Sequence, residues 1–169
     1  MTILRVLLAL VLAFGITACG QKGKFRTYNG PSVTSIQVHK AARKMYLLHN
    51  SEVLEEYDVA LGFAPVGHKQ FEGDERTPEG RYTIHTRNPR SAYRLSLRID
   101  YPNATDRAFA ESYGLSPGGD IFIHGQPNRI PVHDRMEGDW TDGCIAVSNA
   151  EIALLWDAIE DGTPIEIRP

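Results

Sequence analysis

One histidine and one cysteine stand in two short motifs that suit nucleophilic catalysis. His124 ends the apolar segment 121–123, and Cys144 follows a Thr-Asp-Gly tripeptide, twenty positions after the histidine. A cysteine thiol is only slightly ionised at neutral pH, so it needs a nearby base such as an imidazole to accept its proton. Gly143 has no Cβ, which would let a substrate carbonyl approach main-chain N–H groups that could hold an oxyanion.

The same residues support a second interpretation, in which Cys144 is part of the core. A buried free cysteine usually behaves as a small apolar side chain. Ile145 and Val147 follow Cys144 in a segment that reads as a strand. Residue chemistry alone therefore leaves both a nucleophile and a core residue open.

Metal-ligand patterns are weak throughout the chain. Zinc ligation by Cys144, His124 and Asp142 lacks the paired ligand spacing of zinc sites. The acidic segment 72–75 has too few oxygen ligands for calcium, so we expect it to be a solvated loop. We also expect His68 to be a solvated loop residue. No metal site is predicted.

The hydrophobic pattern predicts a mainly β domain with one or two short helices packed outside it. Alternation of apolar and polar residues predicts strands over 33–39, 45–49, 53–61, 80–86, 93–99, 120–124 and 163–167. Helices are predicted over 103–113 and 149–159, the second with an apolar face formed by Ile152, Leu155, Trp156 and Ile159. The strand at 120–124 would end at His124, where the imidazole could face a cysteine on a following turn.

Length and charge restrict the function further. The chain has 169 residues, which suits one domain, and a formal net charge of −3 with 18 basic and 21 acidic side chains. It contains no basic stripe or run of Lys and Arg, so nucleic acid is not an expected partner.

The N-terminus is typical of an exported protein. Arg5 precedes the apolar segment 6–14, which is followed by small residues, as in a secretory signal, and is too short for a permanent spanning helix. The sequence Ile-Thr-Ala-Cys at 16–19 resembles a bacterial lipobox. The resemblance implies lipidation of Cys19, and Gly20 after it favours the outer membrane of a Gram-negative bacterium. Acylation of Cys19 would leave Cys144 without a disulfide partner.

Several further motifs carry a family resemblance. His124-Gly125, followed after fifteen residues by Thr141-x-Gly-Cys-Ile, resembles the signature of the YkuD-type L,D-transpeptidase catalytic domain. The segment Arg-Thr-Pro-Glu-Gly-Arg-Tyr-Thr-Ile at 76–84 resembles a strand entry of that family, and Gly-Thr-Pro-Ile at 162–165 resembles its closing motif. Together the matches run from residue 33 to residue 167 in the expected order.

The resemblance implies an L,D-transpeptidase-type β-sandwich acting on peptidoglycan stem peptides. Cys144 would attack a carbonyl that follows the L-configured centre of meso-diaminopimelate, and His124 would act as base and then as acid. The carbonyl of Gly125 would orient the imidazole, and the N–H groups of Gly143 and Cys144 would hold the oxyanion. An amine or water would then resolve the thioester. No metal or organic cofactor is implied.

Two positions depart from the usual motif. Asp142 stands where the family often has another residue such as His, and a carboxylate close to Cys144 would oppose thiolate formation. Ala146 replaces an Arg that commonly follows Gly-Cys-Ile, a variant found in a murein transpeptidase-like branch. Arg129 and Arg135 are candidate replacements for that cation.

The remaining expectations concern binding and organisation. Trp140, Thr141, Asp142, His133 and Arg129 are predicted to contact substrate. The predicted organisation is a lipoprotein signal peptide at 1–18, a tether at 19–31 and a catalytic domain at 32–169, lipid-anchored at the periplasmic face of the envelope as a monomer. A wall-linked lipoprotein is a second expected partner. A related hydrolase and a non-catalytic peptidoglycan-binding lipoprotein stay open as alternatives.

Overall fold

A computed structural model describes residues 28–169. The predicted signal peptide, Cys19 and most of the predicted tether lie outside these residues. Among residues 28–169, neither helix has the length and apolar character needed to cross a bilayer.

The described chain is mainly β, which confirms the predicted fold class. Its strands are β1 (Ser35–His39), β2 (Lys44–His49), β3 (Glu52–Asp58), β4 (Gly80–Asn88), β5 (Ser96–Ile99), β6 (Phe122–His124), β7 (Ile145–Ala146) and β8 (Pro164–Arg168). Its helices are α1 (Ala104–Ser112) and α2 (Asn149–Ala158). The predicted strand at 53–61 is shorter than expected, because beyond Asp58 the chain makes only isolated bridges from Ala60 to Ala146 and from Gly62 to Thr141.

The eight strands form one curled sheet in the order β3-β2-β1-β8-β4-β5-β6-β7. Strand β4 makes the curl possible, because its first half pairs with β8 and its second half pairs with β5. The β1–β8 and β6–β7 pairs are parallel, and the other pairs are antiparallel. The last strand of the chain thus lies centrally, and the two strands that carry the His and Cys motifs lie together at one end.

The core is enclosed by the curled sheet and by α2. Side chains alternate between buried and partly exposed along β1 and β8, as expected for strands with one covered face. Ile152, Leu155 and Ile159 of the α2 segment are fully buried in this core and Trp156 is partly buried against it, which confirms the predicted apolar face. Ser148 caps the helix by accepting the N–H of Glu151, whose side chain accepts the N–H of Ser148 in return.

One buried carboxylate links helix α1 to the sheet. Asn103 caps the helix in a reciprocal arrangement with Asp106. Asp106 Oδ2 also accepts a hydrogen bond from the Tyr82 hydroxyl at 3.1 Å. Its Oδ1 lies 3.2 Å from Nε2 of His68, whose Nδ1 accepts the N–H of Glu79 at 2.9 Å. Because Nδ1 accepts a hydrogen bond, the proton of the neutral ring is on Nε2, which faces Asp106. His68 therefore links a loop to the helix and is not the solvated residue expected.

The long loop at 65–79 is ordered by ion pairs of buried lysines, while Glu72 and Glu75 of its acidic segment are exposed, as expected. Lys40 is buried, and its Nζ donates to Gly67 O at 2.5 Å, Thr77 O at 2.9 Å and Glu79 Oε1 at 2.8 Å. Burial lowers the pKa of the Lys40 amine, while its bond to Glu79 works in the opposite direction. The loop is therefore fastened to the end of β1.

Asp74 organises the middle of the same loop. Its carboxylate accepts the main-chain N–H groups of Gln70, Phe71 and Arg76 at 2.7–3.1 Å, and it pairs with the buried Lys69 at 2.8 Å. Burial opposes the charged form, but the Lys69 and main-chain hydrogen bonds together hold the pKa of Asp74 below its ordinary value. Asp74 therefore holds the loop in its conformation. The sequence alone did not indicate this role.

Candidate active site

His124 and Cys144 line one cleft of about 520 Å³ at the end of the sheet where β5, β6 and β7 meet. The cleft is lined by Asn88, Ser91, Ala92, Tyr93, Ser96, Gly119, Asp120, Ile121, Phe122, His124, Trp140, Thr141, Asp142 and Cys144. The parallel pairing of β6 with β7 sets Ala146 beside His124 and brings the two motifs together. The sequence prediction that the imidazole and the thiol share a site is consistent with this placement.

The imidazole of His124 is buried and fixed by the main chain. It is 4% exposed, and its Nδ1 lies 2.6 Å from the carbonyl oxygen of Gly125. A carbonyl can only accept, so in the neutral ring Nδ1 carries the proton and Nε2 carries the lone pair. The ring packs against Tyr93 at 4.6 Å and Trp140 at 5.6 Å between centroids. Burial lowers the pKa of His124, and the bond to Gly125 opposes that change.

Gly125 has no room for a side chain. A Cβ there would lie 2.4 Å from Asn149 Oδ1, 2.9 Å from Ile152 Cγ2 and 2.9 Å from the Tyr93 carbonyl oxygen. The N–H of Gly125 donates to Tyr93 O at 3.0 Å, and the next N–H, that of Gln126, donates to Asn149 Oδ1 at 2.9 Å. The His-Gly motif thus reflects a close approach of the strand to the first turn of α2.

The thiol of Cys144 is half-buried at the start of β7. Its Sγ accepts the N–H of Phe122 at 3.4 Å and lies 3.5 Å from the carbonyl oxygen of Asp120. No hydrogen bond joins this Sγ to His124 in this conformation. The pKa of Cys144 is raised to about 11, chiefly by burial and also by the carboxylates of Asp142 and Asp120, while the Phe122 N–H opposes the rise. Both the thiol and the imidazole are therefore uncharged at neutral pH.

The turn before Cys144 is closed by a threonine hydroxyl. Thr141 Oγ1 accepts the N–H of Gly143 at 3.2 Å and donates to the carbonyl of Cys144 at 2.7 Å. The N–H of Gly143, which the sequence suggested as an oxyanion donor, is therefore engaged inside the turn. The N–H of Cys144 has no acceptor in the described part of the chain, so it is the donor left for a ligand.

Gly143 itself occupies a conformation that favours glycine. Its φ is +126°, and a Cβ would lie 2.5 Å from the carbonyl oxygen of Arg76. The Arg76 segment belongs to the Thr-Pro-Glu-Gly motif, so two distant motifs of the sequence meet at this point. The glycine is required for the close approach of two main-chain segments beside Cys144.

A partly buried ion pair positions the segment that precedes the turn. Asp139 accepts a forked pair of hydrogen bonds from Arg43, with Nη2 to Oδ2 at 2.7 Å and Nε to Oδ1 at 3.1 Å. Its Oδ1 also accepts the N–H of Leu61 at 2.9 Å. The carbonyl of Leu61 in turn accepts the N–H groups of Trp140 and Thr141. Sequence reasoning missed this pair because its members are 96 residues apart.

The residues predicted to contact substrate fall into three groups. Trp140, Thr141 and Asp142 line the Cys144 cleft, although the Thr141 hydroxyl is already engaged. Arg129 lies in an adjoining cleft. His133 is exposed and lines neither of these two clefts. Tyr93, which the sequence placed in a strand, stands in a loop over His124, because Arg94 after it adopts a left-handed φ of +71° and β5 begins only at Ser96.

Ala146, the departure from the family motif, is fully buried in β7. Its N–H and carbonyl bond to the main chain of Ala60 at 2.8 and 2.9 Å. The candidate replacement Arg135 is paired with Glu151 and donates to the carbonyl of Asp58, away from the cleft. Of the two candidate cations, only Arg129 therefore adjoins the site.

No group of three or more His, Cys, Asp or Glu side chains within residues 28–169 is arranged to hold a metal ion. The side chains that meet in the cleft, a thiol and an imidazole fixed by a carbonyl, suit covalent acyl transfer with proton shuttling.

Comparisons with known proteins agree with the fold and the motifs. The family model of the YkuD L,D-transpeptidase catalytic domain matches residues 34–167. YafK of Escherichia coli K12, named as a candidate L,D-transpeptidase, is 30% identical over 123 residues, covering 69% of this chain and 43% of YafK.

Solved structures also resemble this chain in fold. The helical cell shape determining protein Pgp2 of Campylobacter jejuni superposes with a TM-score of 0.62 at 25% identity, covering 88% of this chain and 51% of Pgp2. Bd1075 of Bdellovibrio bacteriovorus superposes with a TM-score of 0.55 at 28% identity, covering 80% of this chain and 48% of Bd1075. The chain thus spans about half the length of these relatives. The family match over residues 34–167 shows that the chain belongs to the YkuD family of L,D-transpeptidase catalytic domains.

Proposed function

We propose that this chain is a cysteine-dependent L,D-transpeptidase that remodels peptidoglycan through a thioester on Cys144. The observation that carries the proposal is the shared cleft of Cys144 and His124, with the imidazole fixed by the carbonyl of Gly125. The substrate is a stem peptide containing meso-diaminopimelate, as the family resemblance implies. Family membership supports the reaction class, and the shared cleft supports Cys144 as the nucleophile and His124 as the base.

Acylation begins from a neutral thiol and a neutral imidazole. Because burial raises the pKa of Cys144 and lowers that of His124, a stable ion pair is not the resting state. Rotation of the thiol away from Asp120 O and toward Nε2 of His124 lets the imidazole take the proton as sulfur attacks the carbonyl. The imidazolium then protonates the leaving amine, which yields the thioester and restores the neutral imidazole.

The oxyanion formed in this step needs main-chain donors. The N–H of Cys144 is free to serve, while the N–H of Gly143 serves only if it leaves Thr141 Oγ1. Trp140 and Asp142 border the thiol and contact the bound peptide. An amine resolves the thioester to form a cross-link or a protein link, and water resolves it to cut the peptide.

The cellular setting is proposed from the N-terminal sequence and from the relatives. The lipobox-like segment 16–19 supports lipidation of Cys19 and an anchor in the outer membrane. The likeness to Pgp2, a helical cell shape determining protein, supports a role in wall remodelling that affects cell shape. We expect Cys19→Ala to move the protein from the membrane fraction to the soluble fraction of envelope extracts; unchanged membrane retention contradicts the anchor.

The enzymatic proposal is tested by acylation with a carbapenem, an electrophile that reacts with the thiol. Intact-mass measurement of the chain under reducing conditions should show one adduct, mapped to Cys144 and absent in Cys144→Ala. Slower acylation in His124→Ala, with Tm unchanged, supports the base. If Cys144 takes no adduct, the thioester proposal is wrong, and a non-catalytic peptidoglycan-binding protein becomes the better description.

A further inference from the structure

The peptide group between Gly125 and Gln126 is hydrogen-bonded on both sides. Its carbonyl oxygen accepts a hydrogen bond from His124 Nδ1 at 2.6 Å, and its N–H donates to Asn149 Oδ1 at 2.9 Å. Asn149 Nδ2 in turn donates to the carbonyl oxygen of Ile130 at 3.1 Å. Three hydrogen bonds therefore run in series from the imidazole, through one main-chain peptide, to a side-chain amide of α2.

The partners of the Asn149 side chain fix its orientation. A carbonyl oxygen accepts and an N–H donates, so Nδ2 must face Ile130 O and Oδ1 must face the Gln126 N–H. Asn149 is the first residue of α2 and is 3% exposed, so its amide is shielded from water. The N–H of Ala150 donates to Val132 O at 2.9 Å and attaches the same loop to the helix.

The dipoles of this hydrogen-bonded series point in one direction. In the Gly125–Gln126 peptide and in the Asn149 amide, the negative oxygen faces toward the imidazole and the positive N–H faces away from it. Hydrogen bonds in series polarise one another, and they do so most strongly in a buried environment. Asn149 therefore makes the Gly125 carbonyl a stronger acceptor, and the benefit is greatest when the ring of His124 carries a second proton.

We propose that Asn149 is a positioning residue, which acts through the Gly125–Gln126 peptide to fix the imidazole of His124 and to stabilise its protonated form during catalysis. Asn149 has the task that a carboxylate performs in a catalytic triad, but it adds no net charge near the thiol of Cys144. The thiol proton moves to Nε2 and then to the leaving amine, and no proton moves along the series. This inference rests on the proposed thioester enzyme and adds a residue that touches neither substrate nor the reacting atoms.

A merely structural role for Asn149 would depend on a different atom. The bond from Nδ2 to Ile130 O attaches the loop between the His and Cys motifs to α2, whereas the bond at Oδ1 continues to the imidazole. Asn149→Asp keeps an oxygen for the Gln126 N–H and loses the donor to Ile130. Asn149→Ala loses both. Comparison of the two variants therefore separates the acceptor role from attachment of the loop.

The kinetic test compares rate constants for acylation of Cys144 by a carbapenem in the full chain. We expect Asn149→Ala to slow acylation at least tenfold and Asn149→Asp to recover the rate to within threefold of wild type. The control Asp157→Ala changes an exposed residue of the same helix and should match wild type. If Asn149→Ala does not fold, Asn149→Leu, which keeps the branched shape without polar atoms, takes its place. Equal slowing in the Ala and Asp variants, or no slowing in either, overturns the proposal.

A spectroscopic measurement separates this proposal from the thioester mechanism. In Cys144→Ala, which cannot form a thioester, a nitrogen–proton spectrum should show the ring of His124 as the Nδ1–H tautomer. Adding Asn149→Ala should move the Nδ1–H resonance upfield and introduce the Nε2–H tautomer, while adding Asn149→Asp should preserve the first tautomer. An unchanged ring spectrum in the Ala variant contradicts the role of Asn149. If wild type takes no carbapenem adduct but the resonance moves as expected, only the thioester enzyme is contradicted.

Discussion

The Nδ1 atom of His124 lies 2.6 Å from the carbonyl oxygen of the residue that follows it, Gly125. A main-chain carbonyl does not titrate, so it fixes the imidazole tautomer at every pH at which the ring is neutral. The carbonyl is itself fixed, because the N–H of the same peptide group, that of Gln126, donates to Asn149 Oδ1 and the Gly125 N–H donates to Tyr93 O. The orientation of the ring therefore depends on the space available at Gly125.

We predict that Gly125→Ala impairs the site through this space. The added methyl group would meet Asn149 Oδ1 at 2.4 Å, which forces the strand away from α2. Overpacking of this kind costs about 1–3 kcal/mol and would misalign the imidazole. Acylation of Cys144 should slow at least tenfold, measured by stopped-flow mixing with carbapenem, with Tm lowered by several degrees.

Gly119→Ala is the control for stability in this experiment. Its nearest neighbours would be 3.9–4.0 Å from a Cβ, so the methyl group fits without displacement. Its Tm should stay within about 2 °C of wild type. If Gly125→Ala has a wild-type Tm and acylation rate, the close approach at Gly125 does not orient the ring.

A second prediction concerns the pH dependence of the thiol. Because burial raises the pKa of Cys144 to about 11, alkylation by iodoacetamide should stay slow at pH 8 and rise with pH until about 11. A midpoint near the ordinary cysteine value of about 8.5 would show that the thiol is solvated or already paired with His124. The same chain with Cys144→Ala gives the background rate.

The same thiol should make stability depend on pH in the alkaline range. A pKa raised on folding gives stability that is complete below the ordinary thiol value and is lost as pH rises through about 11. Relative to Cys144→Ser, the wild type should lose up to about 2 kcal/mol of unfolding free energy between pH 9 and 11. The difference between the two proteins removes the contribution of tyrosines that titrate nearby; a constant difference contradicts this prediction.

The carboxylate before Gly143 should be one cause of this raised pKa. Asp142 is exposed and raises the pKa of Cys144 by repulsion of the thiolate. Asp142→Asn should therefore lower that pKa and increase alkylation at pH 8 about two- to fivefold, a modest effect because solvent screens an exposed charge. Asp134→Asn, an exposed aspartate outside the cleft lining, should leave the rate unchanged. Equal rates for both variants would rule out a role for Asp142.

The local parts of this structure were predictable from the sequence. The helix at 103–113 was expected and α1 is observed at Ala104–Ser112, because Asn103 and Asp106 cap it through neighbouring residues. The placement of His124 and Cys144 in one cleft was expected from their motifs. Each of these signals depends on residue types at fixed short spacings, which the sequence displays directly.

The parts that escaped prediction depend on contacts between distant segments. Nothing in residues 70–76 indicates that Asp74 will accept three main-chain N–H groups, because that requires the loop to fold first. Likewise, the engagement of Gly143 by Thr141 depends on the shape of a turn that apolar patterning does not encode. Tyr93 lies over His124 because the chain turns at Arg94, which has a positive φ. A glycine at this position would have indicated the turn, but an arginine does not.

A last prediction concerns the pair of Arg43 with Asp139, which fastens the segment before the Cys144 turn. Asp139→Ala removes a forked, partly buried ion pair and leaves the N–H of Leu61 without its acceptor, so it should cost about 2–3 kcal/mol of unfolding free energy. Asp139→Asn keeps an oxygen for Leu61 and should cost about 1 kcal/mol. Denaturant unfolding measures both, and Trp140 fluorescence reports whether the turn shifts.

Glu137→Gln is the matched control, because Glu137 is an exposed acid in the same loop. It should change unfolding free energy by less than about 0.5 kcal/mol. A main-chain acceptor role for Asp139 requires Asp139→Ala to cost clearly more unfolding free energy than Asp139→Asn. If the two cost the same, the ion pair with Arg43 accounts for the whole effect and Leu61 finds another acceptor. If neither differs from Glu137→Gln, the turn that presents Cys144 is held by Thr141 and its glycine alone.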